Sequence, residues 1–390
     1  MPNLYFDNAS TTFPSSKAKG EMLRILETYP GNPSSSHAYG KDAKRFLEET
    51  RENIATLLGL NKSFKNYIYF TSSATEANNI VLQSLLNSIS FKGDVIITNS
   101  EHPSITSNVG ILEKMGFRIL RARVKNGIVT REAVEELLTP NTVLVESIFV
   151  NNILGSKNDI ADIAKCVKDY SLRIGRRIHF HTDAVQSIGK TEFNLSSLME
   201  CGVTSASFSS HKFYSPRGAG ILFLSSDKVQ ALSQGGGQER GLRGGTENIA
   251  AIGAMKVALE DVQNNIKNDI KKISILRKTL LDNLSSSKVR CKVLSPTLDG
   301  SFVPNILSIA LLGLPGEVCV RALQEKGISV GTTSACASNA KKSDKNALAL
   351  MGFSRSESAS AIRISFSHSQ TQDDVNALSD ALESVYSCYA

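Results

Sequence analysis

Between about residue 50 and residue 255, short apolar runs rich in β-branched residues alternate with longer stretches of helical periodicity. This order restricts the possible folds strongly, because it is typical of a mainly parallel sheet covered by helices. We therefore predict an α/β fold. The predicted strands are residues 67–70, 95–98, 120–124, 143–149, 178–181, 205–209 and 221–224.

A smaller second unit is predicted after this region. Apolar residues recur at helical spacing over residues 250–284, which indicates a long helix, or a pair of helices, leaving the first domain. A chain of 390 residues also exceeds the length at which a single core keeps growing. We predict a large domain of residues 14–255, and a smaller α+β domain formed by residues 1–13 and 256–390. Its strands are predicted at 306–310, 328–330 and 361–365, and its helices at 316–326 and 372–386.

Composition and charge narrow the classes of function. Hydrophobic residues make up 41% of the chain, and no segment reaches the roughly 20 apolar residues that span a bilayer, so no membrane association is expected. The six cysteines form no C-x-x-C pair and the N-terminus lacks a signal sequence, which predicts reduced thiols and a cytoplasmic location. The net charge of +7 is spread over many predicted helices, which argues against nucleic-acid binding. No metal site is predicted, because His179 and His181 have no third ligand nearby in the sequence.

Polar residues follow several of the predicted strands, and ligands of open parallel sheets bind beyond the carboxyl ends of the strands. Ala74 and Thr75 follow the first strand at the start of a predicted helix, where amides and small hydroxyls form either a site suited to phosphate or a plain N-cap. His102, Asn152 and Asp183 follow three later strands. A carboxylate directly after a buried strand is costly without a cationic partner, so Asp183 predicts such a partner.

Lys212 lies at the end of another strand-like run, ahead of a turn that contains Pro216, Gly218 and Gly220. A lysine at such a position is usually solvated. Beside an anion site and a buried aspartate, however, a lysine can form a Schiff base, and an aspartate paired with a pyridinium nitrogen is the arrangement known for pyridoxal 5′-phosphate (PLP).

Together with several longer motifs, these residues resemble the cysteine desulfurases of the NifS/IscS-like branch of the class V aminotransferases, which are PLP enzymes of fold type I. Each motif alone is weak, but their order and spacing are specific and extend nearly from end to end. The motifs are DNASTT at residues 7–12, GNPSSSH at 31–37, GGGQERGLRGGTEN at 235–248 and SACAS at 334–338, with Thr75, His102, Asn152, Asp183 and Lys212 between them.

The resemblance implies how the cofactor would be held. Lys212 would bind the aldehyde of PLP covalently, and Asp183 would keep the pyridine nitrogen protonated. His102 would stack on the ring and move protons, and Gln186 would contact the ring oxygen. The phosphate would be held by Ala74, Thr75, Ser209 and His211, and by Thr246 of the neighbouring subunit in a homodimer with shared sites.

The resemblance also implies the reaction, which removes sulfur from L-cysteine. Arg363 and Asn152, the latter also against the cofactor, would bind the substrate carboxylate. The thiolate of Cys336 would attack the substrate sulfur, leaving L-alanine and a persulfide on the enzyme. The persulfide would pass to an acceptor protein, such as an iron-sulfur scaffold or another carrier. The small, polar run around Cys336 predicts a mobile surface loop.

Several positions depart from the family pattern. Ser73, Ser210 and Ser215 stand where glycine is usual, Ile153 stands where glutamate is usual, and residues 366–369 replace a Leu-Gly-Arg-Phe-like run. None of these changes removes a catalytic group, so they predict a divergent member of the family.

Two other hypotheses stay open from the sequence. One is a PLP-dependent aminotransferase or selenocysteine lyase on the same fold, for which Cys336 would not be required. The other is a sulfur carrier or adaptor without enzymatic activity, which would take up no PLP. The Asp183 and Lys212 pair argues against the adaptor.

Overall fold

The computed structural model describes residues 4–125, 127–225, 229, 231–297, 300–333 and 347–390. Cys336 lies outside the described residues, as does most of the mobile loop predicted around it, but the start of that loop was predicted wrongly because Gly331 and Thr332 belong to a strand. The strands are β1 (Leu4–Phe6), β2 (Ile68–Thr71), β3 (Asp94–Thr98), β4 (Arg118–Ala122), β5 (Thr142–Glu146), β6 (His179–Asp183), β7 (Ser205–Ser209), β8 (Gly220–Leu224), β9 (Cys291–Val293), β10 (Ile306–Leu311), β11 (Ile328–Thr332) and β12 (Ala361–Ser365). The α-helices are α1 (Ser16–Thr28), α2 (Ala38–Leu57), α3 (Ala74–Asn79), α4 (Pro103–Thr106), α5 (Val109–Lys114), α6 (Arg131–Glu135), α7 (Ile160–Arg173), α8 (Leu195–Cys201), α9 (Ile249–Ser285), α10 (Gly316–Glu325), α11 (Ala347–Leu350), α12 (Arg355–Ala359) and α13 (Gln372–Tyr389).

Seven strands form the larger sheet, in the order β2-β8-β7-β6-β5-β3-β4. Neighbouring strands are parallel except at β8, which is antiparallel to both β2 and β7. The predicted α/β fold with a mainly parallel sheet is therefore confirmed, and each of the seven predicted strands corresponds to one strand of this sheet. The strand predicted at 143–149 ends earlier, at Glu146, although Ser147 and Phe149 still donate main-chain hydrogen bonds to β6 at 3.2 and 2.9 Å.

The smaller sheet has the order β1-β11-β12-β10-β9. It is antiparallel except for β1, which pairs in parallel with β11 through Leu4 opposite Ile328 and Phe6 opposite Val330. The N-terminal residues therefore lie in the same sheet as strands from the last third of the chain. The three-residue strands β1 and β9 were not predicted as strands, since they are too short to show an alternating pattern.

One continuous helix, α9, connects the two sheets. It has 37 residues, so the helical pattern at 250–284 belongs to one helix and not to a pair. Ile252 and Leu259 pack in the core beside the larger sheet, whereas Ile273 and Leu280 pack in the core beside the smaller one. The domain boundary predicted at residue 255 falls inside this helix and stays a prediction. In the described ranges, no helix combines the length and the apolar character needed to cross a bilayer.

Candidate active site

The strands β2, β3, β5, β6 and β7 run in the same direction, so their carboxyl ends lie at one edge of the larger sheet. A cavity of about 280 Å³ lies at this edge. Ten of the residues predicted for the site line it: Ala74, Thr75, His102, Asn152, Asp183, Gln186, Ser209, His211, Lys212 and Arg363. The other lining residues are Ala9, Ser10, Ser73, Ser104, Ile148 and Val185.

Asp183 is the last residue of β6 and is buried beside the cavity. Its Oδ1 accepts a hydrogen bond from the main-chain N–H of Val185, and its Oδ2 accepts one from Nδ2 of Asn78, both at 3.0 Å. Both donors are neutral groups, so neither supplies a positive charge to this buried carboxylate. A cationic group in the cavity is therefore the partner that this side chain suits best.

His102 is the N-cap of α4, with Pro103 at the first helical position. Its Nδ1 accepts a hydrogen bond from the main-chain N–H of Ser104 at 3.1 Å and lies 2.9 Å from the Ser104 hydroxyl. Because a main-chain N–H can only donate, the neutral ring carries its proton on Nε2. Burial lowers the pKa of His102. Attraction to Asp183 opposes this change, whereas repulsion from Lys212 adds to it. The ring of His102 is therefore neutral at pH 7.

Lys212 follows β7 and extends into the cavity towards the N-terminal segment. Its Nζ donates hydrogen bonds to the main-chain oxygens of Ala9 at 2.8 Å and Ser10 at 2.5 Å. The main-chain oxygen of Lys212 accepts a hydrogen bond from Nζ of Lys190 at 2.9 Å. Burial, together with repulsion from Lys212, lowers the pKa of Lys190 to about 7. Two lysines therefore lie close together, and Lys212 is the one that lines the cavity.

The end of the cavity beside α3 is suited to an anion. Ser73 caps this helix by accepting a hydrogen bond from the main-chain N–H of Glu76 at 3.2 Å. The first amides of a helix have no acceptor within the helix, and the hydroxyls of Thr75 and Ser209 lie at the same end. A Cβ atom on Gly220 would lie 2.7 Å from the main-chain carbon of Ser73, so only glycine lets β8 pass directly behind this site.

His211 and Gln186 add further polar groups to the cavity. His211 Nδ1 lies 3.1 Å from the hydroxyl of Thr11, and burial, with repulsion from Lys212, lowers the pKa of His211 to about 4. Gln186 donates from Nε2 to the main-chain oxygen of Ala9 at 2.9 Å. Its Oε1 is buried without a hydrogen-bond partner in the described part of the chain, which indicates that a polar ligand completes this side of the cavity.

Arg363 on β12 brings a guanidinium group from the smaller sheet to the cavity. Its Nη1 donates to the main-chain oxygen of Asn152 at 2.9 Å, and its Nη2 donates to Oδ1 of Asp7 and to the hydroxyl of Ser10, both at 2.7 Å. A Cβ atom on Gly331 would lie 2.6 Å from Asp7 Oδ1 and 2.9 Å from Arg363 Nη2, so a larger residue there would displace this ion pair. The charge and planar shape of this group suit a carboxylate.

Among the described residues, one predicted site residue, Thr246, does not line this cavity. Thr246 lines a different surface cavity, together with Leu26, Tyr29 and Asn32. That position is compatible with a role in a neighbouring subunit, which stays a prediction. Cys336 lies outside the described residues.

The departures from the family pattern are accommodated by local packing. Ser73 serves as the helix cap, and Ser210 donates from its hydroxyl to a main-chain oxygen of the following turn at 2.6 Å. Ile153 is buried in a small apolar cluster beside β10. Phe366 packs in the core of the smaller sheet, and the ring of His368 lies 4.2 Å from that of Tyr214. Of these residues, Ser73 alone lines the cavity.

Sequence reasoning missed four buried polar residues around the cavity: Asn78, Glu101, Ser104 and Lys190. Asn78 carried a usable signal, because it lies four residues after Ala74 and so on the same face of the predicted helix. Glu101 and Ser104 flank the candidate His102. Nothing in the sequence marks Lys190 as buried beside Lys212.

Comparison with known proteins agrees with this geometry. Residues 4–378 match the class V aminotransferase family. The chain is 38% identical to a NifS/IcsS protein homolog from Lactobacillus delbrueckii subsp. bulgaricus, over 98% of this chain and 97% of that one. It is 31% identical to a cysteine desulfurase IscS from Clostridium botulinum, over 98% of this chain and 94% of that one. A solved structure of a NifS-like protein is 31% identical and superposes with a TM-score of 0.90, covering 99% of this chain and 100% of that one.

The fold and the cavity define an α/β enzyme of fold type I, with a lysine, a buried aspartate and an anion site around one space. The chain belongs to the class V aminotransferase family, whose members depend on PLP, and its resemblance to NifS/IscS proteins is confirmed. The residues present fit this cofactor. The anion site suits its phosphate, Asp183 suits a protonated pyridine nitrogen, and the unpartnered Oε1 of Gln186 leaves a polar contact for a ligand.

Proposed function

We propose that this chain is a PLP-dependent cysteine desulfurase, which converts L-cysteine to L-alanine and carries the sulfur as a persulfide on Cys336. The observation that carries the proposal is the meeting of Lys212, Asp183 and Arg363 at one cavity, although they come from two different sheets. A cofactor site and a carboxylate site thereby share one space. The name of the relative from Clostridium botulinum supports cysteine as the substrate.

When bound, PLP withdraws electrons from the substrate and so weakens bonds around its α-carbon. In the proposal, Lys212 holds the cofactor, Asp183 stabilises a proton on its ring nitrogen, and Ala74, Thr75, Ser209 and His211 hold its phosphate. Gln186 contacts the ring oxygen.

The substrate carboxylate is bound by Arg363, with Asn152 beside it. The amine of Lys212 would take the α-proton of the substrate, and His102 holds an exchangeable proton on Nε2 at the cavity. These groups bind, orient and move protons around the reacting carbon.

The sulfur step uses the thiolate of Cys336. A bond forms between the two sulfurs while the Cβ–S bond of the substrate breaks, and the electron pair of that bond stays with the carbon fragment, which takes up protons and leaves as L-alanine. The products are therefore L-alanine and a Cys336 persulfide, with no external oxidant or reductant. An acceptor protein then receives the sulfur, and a cytoplasmic location stays a prediction from the sequence.

A homodimer with shared sites belongs to the same proposal. Leu23 and Leu26 on α1 are 63% and 58% exposed, and Leu26 lines the same surface cavity as Thr246. Exposed apolar side chains beside a candidate phosphate ligand are what a subunit interface would cover. This arrangement supports the hypothesis that Thr246 reaches the phosphate in the neighbouring subunit.

The test incubates the PLP-loaded protein with L-cysteine and measures L-alanine and persulfide sulfur together. We expect equal amounts in the first turnover, and their loss in Cys336→Ser with PLP still bound. Cys388→Ser is the matched control, since Cys388 is exposed at the end of α13. If Cys336→Ser forms alanine at the parental rate, the aminotransferase or selenocysteine lyase hypothesis takes its place. A protein that takes up no PLP would favour the adaptor.

A further inference from the structure

Beneath the cavity, one buried amide connects Asp183 with the residues around His102. Asn78 on α3 is fully buried. Its Nδ2 donates to Oδ2 of Asp183 at 3.0 Å and to the hydroxyl oxygen of Ser104 at 2.8 Å. Its Oδ1 lies 3.0 Å from Nε2 of His181. Both N–H groups of this amide and its oxygen therefore have hydrogen-bond partners.

The partners fix which way the amide faces. An ionised carboxylate only accepts hydrogen bonds, so the nitrogen of Asn78 must face Asp183. The amide oxygen only accepts, so His181 donates to it from Nε2, and the other ring nitrogen of His181 lies 2.9 Å from the hydroxyl of Ser205. Burial lowers the pKa of His181 to about 3, which keeps this ring neutral at pH 7. The opposite orientation of the amide would place its oxygen against the Asp183 carboxylate.

The same amide determines the direction of the Ser104 hydroxyl. Because the Ser104 oxygen accepts from Asn78, its own hydrogen is available for Nδ1 of His102, 2.9 Å away. Nδ1 also accepts the main-chain N–H of Ser104 at 3.1 Å. Two donors thus converge on Nδ1, and Nε2 of His102 has no hydrogen bond within the described residues. Nε2 is the ring nitrogen that remains for a ligand in the cavity.

We propose that Asn78 is a positioning residue that orients both Asp183 and the Ser104 hydroxyl beside His102 through a single side chain. Its nitrogen orients the Asp183 carboxylate towards the cavity, and by occupying the Ser104 oxygen it turns that hydroxyl towards Nδ1 of His102, which reinforces the proton position on Nε2 set by the main-chain N–H of Ser104. The proposal rests on the proposed function, in which Asp183 and His102 both contact PLP. It adds that these two contacts are not independent, since loss of one amide disturbs both.

Three variants separate the two branches of the proposal, which are the hydrogen bond from Asn78 to Asp183 and the link from Asn78 through the Ser104 hydroxyl to His102. Asn78→Ala removes both, and Asn78→Ser keeps a small polar group in case the alanine variant fails to fold. Ser104→Ala removes the hydroxyl branch alone, because the main-chain N–H to His102 remains. Asn79→Ala is the matched control, since Asn79 is the next residue of the same helix and its Nδ2 donates to a main-chain oxygen of its own helix at 2.7 Å.

Two measurements report on the two branches. Titration of the PLP-free protein with PLP, followed by absorbance, gives the Kd for the cofactor. The ¹⁵N chemical shifts of the histidine rings in the PLP-free protein report which ring nitrogen carries each proton. The chain has six histidines, and the signals of His102 are those that disappear in His102→Gln. A general loss of packing would not move the His102 ring signals selectively.

We expect Asn78→Ala and Asn78→Ser to raise the Kd for PLP by about ten- to a hundredfold, as loss of a hydrogen bond to a charged group does, and to move the Nδ1 signal of His102. Ser104→Ala should move that signal while the Kd changes far less. Asn79→Ala should change neither. If both Asn78 variants match Asn79→Ala in Kd and in the His102 signals, the proposal is wrong. A parent protein that binds no PLP would instead refute the proposed function, while the His102 signals would still test the link through Ser104.

Discussion

Replacing Glu101 by glutamine tests whether this buried acid beside the cavity lowers the free energy of unfolding as the pH rises. The Oε1 of Glu101 accepts hydrogen bonds from the hydroxyl of Thr98 and from the main-chain N–H of Ile148, the latter at 2.8 Å. Burial raises the pKa of Glu101 from 4.5 to about 8; these two hydrogen bonds oppose the change, and repulsion from Asp183 adds to it. Glutamine keeps the accepting oxygen and places an amide where the protonated acid has its hydroxyl.

The sign and size of the effect follow from the two pKa values. In the unfolded chain Glu101 ionises near pH 4.5, whereas in the folded protein it stays protonated up to about pH 8. Between these values the folded state holds the extra proton, so the free energy of unfolding of the parent falls as the pH rises. At about 1.4 kcal/mol per pH unit, the loss is about 2 to 3 kcal/mol between pH 5 and pH 7. Burial raises the pKa of Glu146 as well, with repulsion from Glu101 and Asp183 adding to the change, so only the part due to burial and to Asp183 is common to both proteins and cancels.

The assay is urea-induced unfolding of parent and Glu101→Gln at several pH values from 5 to 8.5, each with saturating PLP. We expect similar stability near pH 5 and an advantage for the variant that grows to about 2 to 3 kcal/mol at pH 7 and levels off above pH 8. Glu113→Gln, an exposed change on α5, should show no such dependence. A difference between Glu101→Gln and the parent that stays constant from pH 5 to pH 8 would refute the raised pKa.

Three further predictions concern the site. Borohydride reduction followed by peptide mapping should place PLP on Lys212 and leave Lys212→Ala unlabelled; a label on the nearby Lys190 would contradict the assignment. Arg363→Ala should raise the KM for L-cysteine about tenfold or more with the PLP absorbance unchanged, through loss of a charge-assisted contact, and an unaltered KM would assign the carboxylate to another residue. A hybrid dimer combines one Thr246→Val chain with one Lys212→Ala chain. If the sites are shared, this dimer should have one intact site that binds PLP with parental affinity; a PLP affinity that is the plain average of those of the two variants would exclude sharing.

The pattern of the larger sheet was predictable because most of its strands are buried on both sides. Several of them read as short apolar runs, and the strand-like run predicted at 205–209 coincides with β7. Errors lie at the ends of strands, where polar residues that serve the cavity follow directly. At the end of β5, for example, main-chain pairing with β6 continues past Glu146 without a regular ladder. An apolar pattern does not locate such an end.

Much of the site was predictable for a related reason. Parallel strands bring the residues that follow them to one edge, so Thr75, His102, Asp183 and Lys212 were expected to meet. The meeting of these residues with Arg363 has no such local basis, since it depends on how the two sheets pack against each other. The roles given to Arg363 and Cys336 therefore came from the family resemblance and not from periodicity.

The partners of the predicted residues could not be read from the sequence. Asp183 was expected to have a cationic partner, but nothing in the sequence indicated that the Asn78 amide and a main-chain N–H would be its hydrogen-bond donors. Lys190 donates to a main-chain oxygen of Lys212, a contact between loops 22 positions apart. Contacts of this kind depend on the exact separation of packed elements, which residue types alone do not encode.

The N-terminal motif gains a physical explanation from these contacts. β1 is fixed in the smaller sheet by its pairing with β11, and the residues that follow it cross to the cavity of the larger sheet. Asp7 forms an ion pair with Arg363, while the main-chain oxygens of Ala9 and Ser10 accept hydrogen bonds from Nζ of Lys212. One short segment therefore contacts both the candidate carboxylate-binding residue and the candidate cofactor lysine. Because β1 and β12 belong to the same sheet, Asp7 and Arg363 move together, and a displacement of this sheet relative to the larger one would also move the acceptors of Lys212.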